Sequence, residues 1–306
     1  MDKKKAQLGV FVTILAACLW GFSGACGQYL FQNKGVTVRW LVPVRLMTAG
    51  LILLIFHICK EKKEAFRIFR EKRNTIDIII YGIAGLMLCQ YTFFATIELS
   101  NAGTATIMKY IAPVLIMLIV CAMEKRRPKA IELLALPMAI SGIVLIATHG
   151  NLHQLAISPA ALGMGMFSAS AVVIYNLQPR RLLKQFPAPY LMGWAMTIGG
   201  IFISIIFKPW QYHYDIDLSF ILALTGVIAL GTIAGFCLYT LGVTIIGPAK
   251  ASLFSCVEPI SATTFSALWL HAPFTVPDLC GFALIIATMI MISIQDIKRK
   301  QVQEQK

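Results

Sequence analysis

The sequence predicts an all-α integral membrane protein with ten transmembrane helices, and two observations support this fold class. Of the 306 residues, 58% are hydrophobic and only 13% are charged, against about 25% charged residues in soluble domains. Apolar runs of about twenty residues recur along the whole chain, and each can cross about 30 Å of hydrocarbon. These runs predict spans at about residues 8–32, 38–59, 76–98, 103–123, 131–148, 159–177, 188–207, 218–242, 249–270 and 277–294.

The placement of lysine and arginine predicts the orientation of these spans. Basic clusters precede span one, follow span ten, and lie between spans two and three, four and five, and six and seven. The alternate loops carry few basic residues, chiefly Lys34 and Lys208. Cytoplasmic loops collect such residues, so both termini are expected in the cytoplasm. The net charge of +13 then faces anionic lipid and requires no nucleic-acid partner.

The two halves of the chain resemble each other at an offset of 146 residues. This offset aligns Pro113 with Pro259 and Gly85 with Gly231, and it lays "GTATIMKYIAPV" over "AKASLFSCVEPI". Five spans per half is an odd number, so the second half must enter the membrane from the opposite side. The sequence therefore predicts two inverted five-helix repeats, residues 1–148 and 149–306, a design typical of carriers.

Four stretches carry a resemblance to a known family over almost the whole chain. They are "LAACLWGFSG" in span one, "VRLMTAGLILL" in span two, "LSNAGTATIMKYIAPVLIML…MEKRRP" in span four and "IGPAKASLFSCVEPISATTFSALWL" in span nine. Together they resemble the EamA-type family of the drug/metabolite transporter superfamily. The resemblance implies ten-helix carriers of small metabolites, many of which export amino acids. The match departs after span nine, where Leu270 and His271 replace the glutamate that Glu124 provides in span four.

Three ionisable residues lie deep enough in the spans to be candidate substrate ligands. By helix rise, Lys109 lies about 9 Å inside the outer boundary, and Glu258 lies about 14 Å inside the inner one. Their heights then differ by about 7 Å, and both belong to repeat-equivalent spans, which border the central cavity in the family resembled. Lys109 could bind a substrate anion while Glu258 binds an amine or exchanges a proton; alternatively, the two neutralise each other. Arg45 on span two is a third candidate; alternatively, it holds helices together through structural contacts.

Neutral and aromatic candidates complete the predicted site, with ordinary core packing as the alternative for each of them. They are Trp20, Gln90, Tyr91, Tyr110 and Tyr239.

The two equivalent prolines predict a site or hinge. Proline leaves the carbonyl four residues earlier without its helical partner, so Pro113 frees the carbonyl of Lys109 and Pro259 frees that of Ser255. Freed backbone at membrane depth is tolerated beside a cavity or a partner. The alternative is a kink that serves packing alone.

These features favour a secondary carrier in the cell (inner) membrane that exports amino acids or related compounds, with protons as an optional coupling ion. A hydrophobic-drug exporter is the runner-up, followed by a channel or a sensor. No enzyme activity, cofactor or metal is expected, since the spans contain no His-x-x-x-His or Gly-x-Ser-x-Gly and the cysteines form no Cys-x-x-Cys. The substrate and the oligomeric state stay open.

Overall fold

The computed structural model describes residues 3–123, 125, 127, 130–151 and 156–304, and these residues form helices joined by short loops. Glu124, which the family comparison singled out, lies outside the described residues. The α-helices are α1 (Lys3–Lys34), α2 (Val38–Glu61), α3 (Lys72–Ile80), α4 (Leu88–Leu99), α5 (Ala102–Lys109), α6 (Ala112–Met123), α7 (Ala130–Thr148), α8 (Pro159–Leu177), α9 (Ala188–Phe207), α10 (Leu218–Thr225), α11 (Gly235–Ile246), α12 (Pro248–Phe254), α13 (Val257–Leu270) and α14 (Val276–Glu304).

Eight helical stretches in the described ranges are long and apolar enough to cross a membrane. Two shorter apolar helices, Leu133–Thr148 and Val276–Ile292, lie at predicted spans five and ten. Large apolar side chains such as Phe11, Phe56, Ile205 and Leu268 are more than half exposed on the outside of the bundle. The structure therefore confirms an all-helical, multi-pass membrane protein, while the ten-span topology and the side on which the termini lie stay predictions.

Small residues let the helices approach closely. A Cβ at Gly242 of α11 would lie 2.1 Å from the Thr13 hydroxyl of α1. A Cβ at Gly50 of α2 would lie 2.7 Å from the Thr197 backbone nitrogen of α9. Glycine at such contacts brings two backbones together, which is how membrane helices gain packing energy without a hydrophobic driving force.

Two spans contain π-helical turns, and two others are broken near their prolines. The π-helical segments are Tyr81–Met87 and Gly226–Ala234, and the 146-residue offset places the first inside the second. Span four breaks between α5 and α6, and span nine breaks between α12 and α13, one residue apart under the same offset. Irregularities of this kind commonly mark functional positions in a helix.

The two helices of each broken span have different packing partners. Helix α5 packs against α13, so one end of spans four and nine is in contact. Gln28 of α1 reinforces this contact, because its Oε1 accepts hydrogen bonds from the Ala102 backbone nitrogen at 2.9 Å and from the Ser266 hydroxyl. We call this contact region the α5–α13 seal. At the opposite end, α6 and α12 both border an internal cavity.

Candidate functional site

The structure joins the two charged residues that the sequence singled out. Lys109 Nζ donates a hydrogen bond to Glu258 Oε1 at 2.5 Å. The Lys109 ammonium also lies over the Phe93 ring, 4.7 Å from its centroid. Lys109 is the last residue of α5, and Glu258 lies in the first turn of α13. Each therefore projects from a point where its span is broken.

Tyr110 completes this cluster and explains how one proline is accommodated. Its hydroxyl lies 2.9 Å from Glu258 Oε2 and 2.8 Å from the Ser255 carbonyl oxygen. That carbonyl is the group that Pro259 deprives of its helical donor. A side chain from span four thus lies at hydrogen-bonding distance from the backbone group exposed in span nine. The single hydroxyl proton of Tyr110 is donated to one of these two oxygens at a time, and the Ser255 carbonyl also accepts a hydrogen bond from the Glu258 backbone nitrogen at 2.9 Å.

Arg45 of α2 is buried and lies among neutral partners. Its Nε donates to the Thr232 hydroxyl at 2.7 Å, and its Nη1 donates to Gln90 Oε1 at 3.3 Å. The guanidinium carbon lies 4.6 Å from the centroid of the Phe94 ring. Among the described residues, no carboxylate forms an ion pair with Arg45.

These groups line one cavity of about 900 Å³, a size common for small-molecule sites. It contains most of the predicted site and one predicted hinge. The predicted residues that line it are Trp20, Arg45, Gln90, Lys109, Tyr110, Tyr239, Glu258 and Pro113. The Trp20 ring packs against Phe236 and Tyr239, with centroids 5.3 and 5.1 Å away. Charged groups and aromatic walls therefore share the same space.

Tyr91 does not line this cavity, and its surroundings match the alternative of ordinary packing. Its ring stacks on Phe207 of α9, with centroids 5.2 Å apart and ring planes at 23°. With 3.6 residues per turn, neighbours on an α-helix point about 100° apart. Tyr91 therefore points in a different direction from Gln90 and packs against α9.

Sequence reasoning missed several lining residues, of which Arg180 and Ser252 are examples. Arg180 follows span six and was counted only as a loop charge. Ser252 is a small residue in an apolar run and gives no signal of its own, although the repeat offset pairs it with Thr106. Lining residues recur along α6 from Pro113 to Val120, so the cavity extends along this helix away from Lys109, and the exposed Arg180 also lines it.

Comparison with known proteins shows to which protein family this chain belongs. The model of the EamA-like transporter family matches residues 7–148 and 160–294. The chain belongs to the EamA-like transporter family. It is a membrane transporter, and the family model matches it in two separate segments.

Curated relatives of the family cover nearly the full chain. The chain is 36% identical over 291 residues to an uncharacterized inner membrane transporter, YicL of Salmonella typhimurium, covering 95% of this chain and 97% of YicL. The uncharacterized transporter YetK of Bacillus subtilis is 23% identical over 97% of this chain and 89% of its own length. A crystal structure at 14% identity shares the fold, with a TM-score of 0.60 over 96% of this chain and 97% of that one. This EamA-like transporter is a multi-pass protein of the inner membrane.

Proposed function

We propose that this EamA-like transporter is a secondary carrier that exports amino acids or related zwitterionic or carboxylate compounds by alternating access. The cavity supports the proposal, because it brings Arg45, Lys109 and Glu258 together at bilayer depth. Ionisable groups are costly there, and those that are retained usually bind or relay charge. A carrier uses such groups to hold a substrate halfway across the membrane.

Alternating access follows from two inverted repeats, proposed here as residues 1–148 and 149–306 with both termini in the cytoplasm. The separate family matches and the coincident helix breaks support the repeat. Under this topology, Arg180 lies at the cytoplasmic mouth of the cavity, and the α5–α13 seal lies on the outer side. The conformation described here would then be open inwards, ready to load a substrate for export.

Glu258 is the proposed coupling residue. In this conformation the Lys109–Glu258 pair is neutral, so the cavity can be entered without an exposed negative charge. Protonation of Glu258 would break the pair and free the Lys109 ammonium. A proton gradient could then drive the exchange between the two conformations.

The test is uptake of labelled amino acids and carboxylates into inverted membrane vesicles, with and without a proton gradient. We expect gradient-dependent uptake that is lost in Lys109→Gln and Glu258→Gln and retained in the control Lys250→Gln, whose side chain is exposed. Normal transport by both variants would refute the charged site. Net transport lost with exchange retained in Glu258→Gln would support proton coupling. Uptake of hydrophobic compounds in place of metabolites would favour a hydrophobic-drug exporter, the alternative that the aromatic walls of the cavity support.

A further inference from the structure

The unmatched guanidinium of Arg45 distinguishes between the substrate classes left open above. We infer that Arg45 is the anchor for a substrate carboxylate, and that the substrate carries net negative charge instead of being a zwitterion. The inference rests on the proposed carrier function, since it assigns the ligand of the same cavity. Four observations support it.

The first observation is the hydrogen-bond inventory of Arg45. Its Nε is held by Thr232 and its Nη1 contacts Gln90, which fixes the plane of the guanidinium. Its Nη2 makes no hydrogen bond to any described residue. A guanidinium presents donors in a rigid fork that matches a carboxylate. Arg45 lines the cavity with part of that fork unused.

The second observation concerns Glu258, which would have to receive the amine of a zwitterion. Lys109 lies against its Oε1 at 2.5 Å, and Tyr110 lies 2.9 Å from its Oε2. The Glu258 side chain is also only 4% exposed, so little of either oxygen is accessible to a substrate ammonium. Lys109 is likewise not available to bind a substrate anion, because Glu258 already neutralises its charge. The pair therefore offers neither an amine site nor an anion site while it is closed.

The third observation is the charge balance at this depth. Arg45 and Lys109 contribute two positive charges and Glu258 contributes one negative charge, which leaves a net charge of +1 among these three groups. Buried charges in proteins are paired with a charge of opposite sign. A ligand with one carboxylate supplies the missing charge, whereas a zwitterion supplies none.

The fourth observation is the entrance. Arg180 lines the same cavity and its side chain is exposed, so a cation lies where the cavity meets solvent. Clefts lined by one sign of charge concentrate ions of the opposite sign and speed their entry. The aromatic rings of Trp20 and Tyr239, which line the cavity as well, suit the hydrocarbon part of an organic acid.

The experiment measures ligand-induced thermal stabilisation of the purified full-length protein in detergent. The probes are two matched sets, 3-phenylpropanoate with 3-phenylpropanamide and phenylalanine, and hexanoate with hexanamide and norleucine. We expect the carboxylates to raise the unfolding temperature and the amides and zwitterions to leave it unchanged. Stabilisation by the zwitterions alone, or by no carboxylate, would overturn the inference.

Variants test whether Arg45 is the anchor. Arg45→Gln should weaken carboxylate binding by about 10- to 100-fold, the loss of one hydrogen-bonded charge contact. Gln90→Glu should also weaken carboxylate binding, although it keeps the arginine. Its new carboxylate would pair with the Arg45 guanidinium, because Gln90 Oε1 lies 3.3 Å from Nη1 of Arg45. Arg39→Gln is the matched control, since Arg39 lies over Phe207 and does not line the cavity. Unchanged carboxylate binding in Gln90→Glu would refute the anchor even if Arg45→Gln fails to fold.

Transport separates this inference from the function on which it rests. The carboxylate that stabilises the protein is tested for uptake into proteoliposomes. Binding that requires Arg45 without any uptake would refute the carrier and leave the anchor. Uptake that persists in Gln90→Glu would refute the anchor and leave the carrier.

Discussion

Replacing Lys109 with methionine should destabilise the protein, because it strands a buried carboxylate. The Glu258 side chain is only 4% exposed, whereas that of Lys109 is 22% exposed. Removing one partner of a buried ion pair costs about 3–5 kcal/mol. Tyr110 still contacts the other carboxylate oxygen, and Glu258 lines the cavity, so we expect the lower end, about 3 kcal/mol.

A second substitution tests the cause of that loss. Lys109→Met combined with Glu258→Gln removes both charges and keeps an acceptor for the Tyr110 hydroxyl. Because the desolvation cost of the pair disappears along with its attraction, the double variant should lie within about 1 kcal/mol of the wild type. The coupling energy of the cycle would then be about 2 kcal/mol or more.

The assay is reversible chemical unfolding in detergent micelles, followed by far-UV circular dichroism. Lys250→Met is the control, because the Lys250 side chain is exposed on α12 and its removal should change stability by less than about 0.5 kcal/mol. The reasoning is refuted if Lys109→Met costs less than about 1 kcal/mol, or if the double variant is as unstable as the single one.

Three further predictions concern packing, hydrogen bonding and pH. Gly242→Ala should destabilise the protein, since its Cβ would lie 2.1 Å from the Thr13 hydroxyl of α1, which must then rotate away. Gly163→Ala meets no atom within 4 Å and should be tolerated; detergent-soluble yield measures both. Tyr110→Phe should cost about 0.5–1.5 kcal/mol in the same unfolding assay, because it removes one buried hydrogen bond while the Ser255 carbonyl keeps its bond from the Glu258 backbone nitrogen. The hydrogen bond from Lys34 lowers the pKa of Asp217 to about 2. The ionised Asp217 side chain therefore stabilises the protein fully above about pH 4, and this stabilisation should be lost as the pH falls through about 2. The difference in stability between wild type and Asp217→Asn should disappear over that interval, and a constant difference would count against this prediction.

Position along the membrane normal could be predicted from the sequence, because helix rise converts residue number into height. That is why the Lys109–Glu258 contact was predictable: two residues near one height on equivalent spans have few other partners. Rotation about the helix axis could not be predicted in the same way. Gln90 and Tyr91 have nearly the same height and polarity, yet only Gln90 lines the cavity. In lipid both sides of a span are apolar, so the sequence carries little signal for rotation.

The positions of the helix breaks could be predicted from the sequence, but the side chains that contact the exposed backbone groups could not. Pro259 identifies the Ser255 carbonyl as a group in need of a donor, because proline removes its helical partner. Besides the local Glu258 backbone nitrogen, the Tyr110 hydroxyl lies 2.8 Å from this carbonyl; Tyr110 is 145 residues away in the sequence, and no local pattern encodes that pairing. The π-helical turns at Tyr81–Met87 and Gly226–Ala234 were not predicted either, since an apolar run has the same length and polarity whether its turns are α-helical or π-helical.

The broken spans connect the ion pair to the proposed conformational change. Under the 146-residue offset, α5 corresponds to α12 and α6 corresponds to α13. The observed seal joins α5 to α13, so its repeat counterpart would join α12 to α6, the two segments that border the cavity here. Lys109 and Glu258 lie beside the two breaks, where each span can bend without losing further helical hydrogen bonds. A ligand or proton that opens this pair therefore acts at the point where one seal could be exchanged for the other.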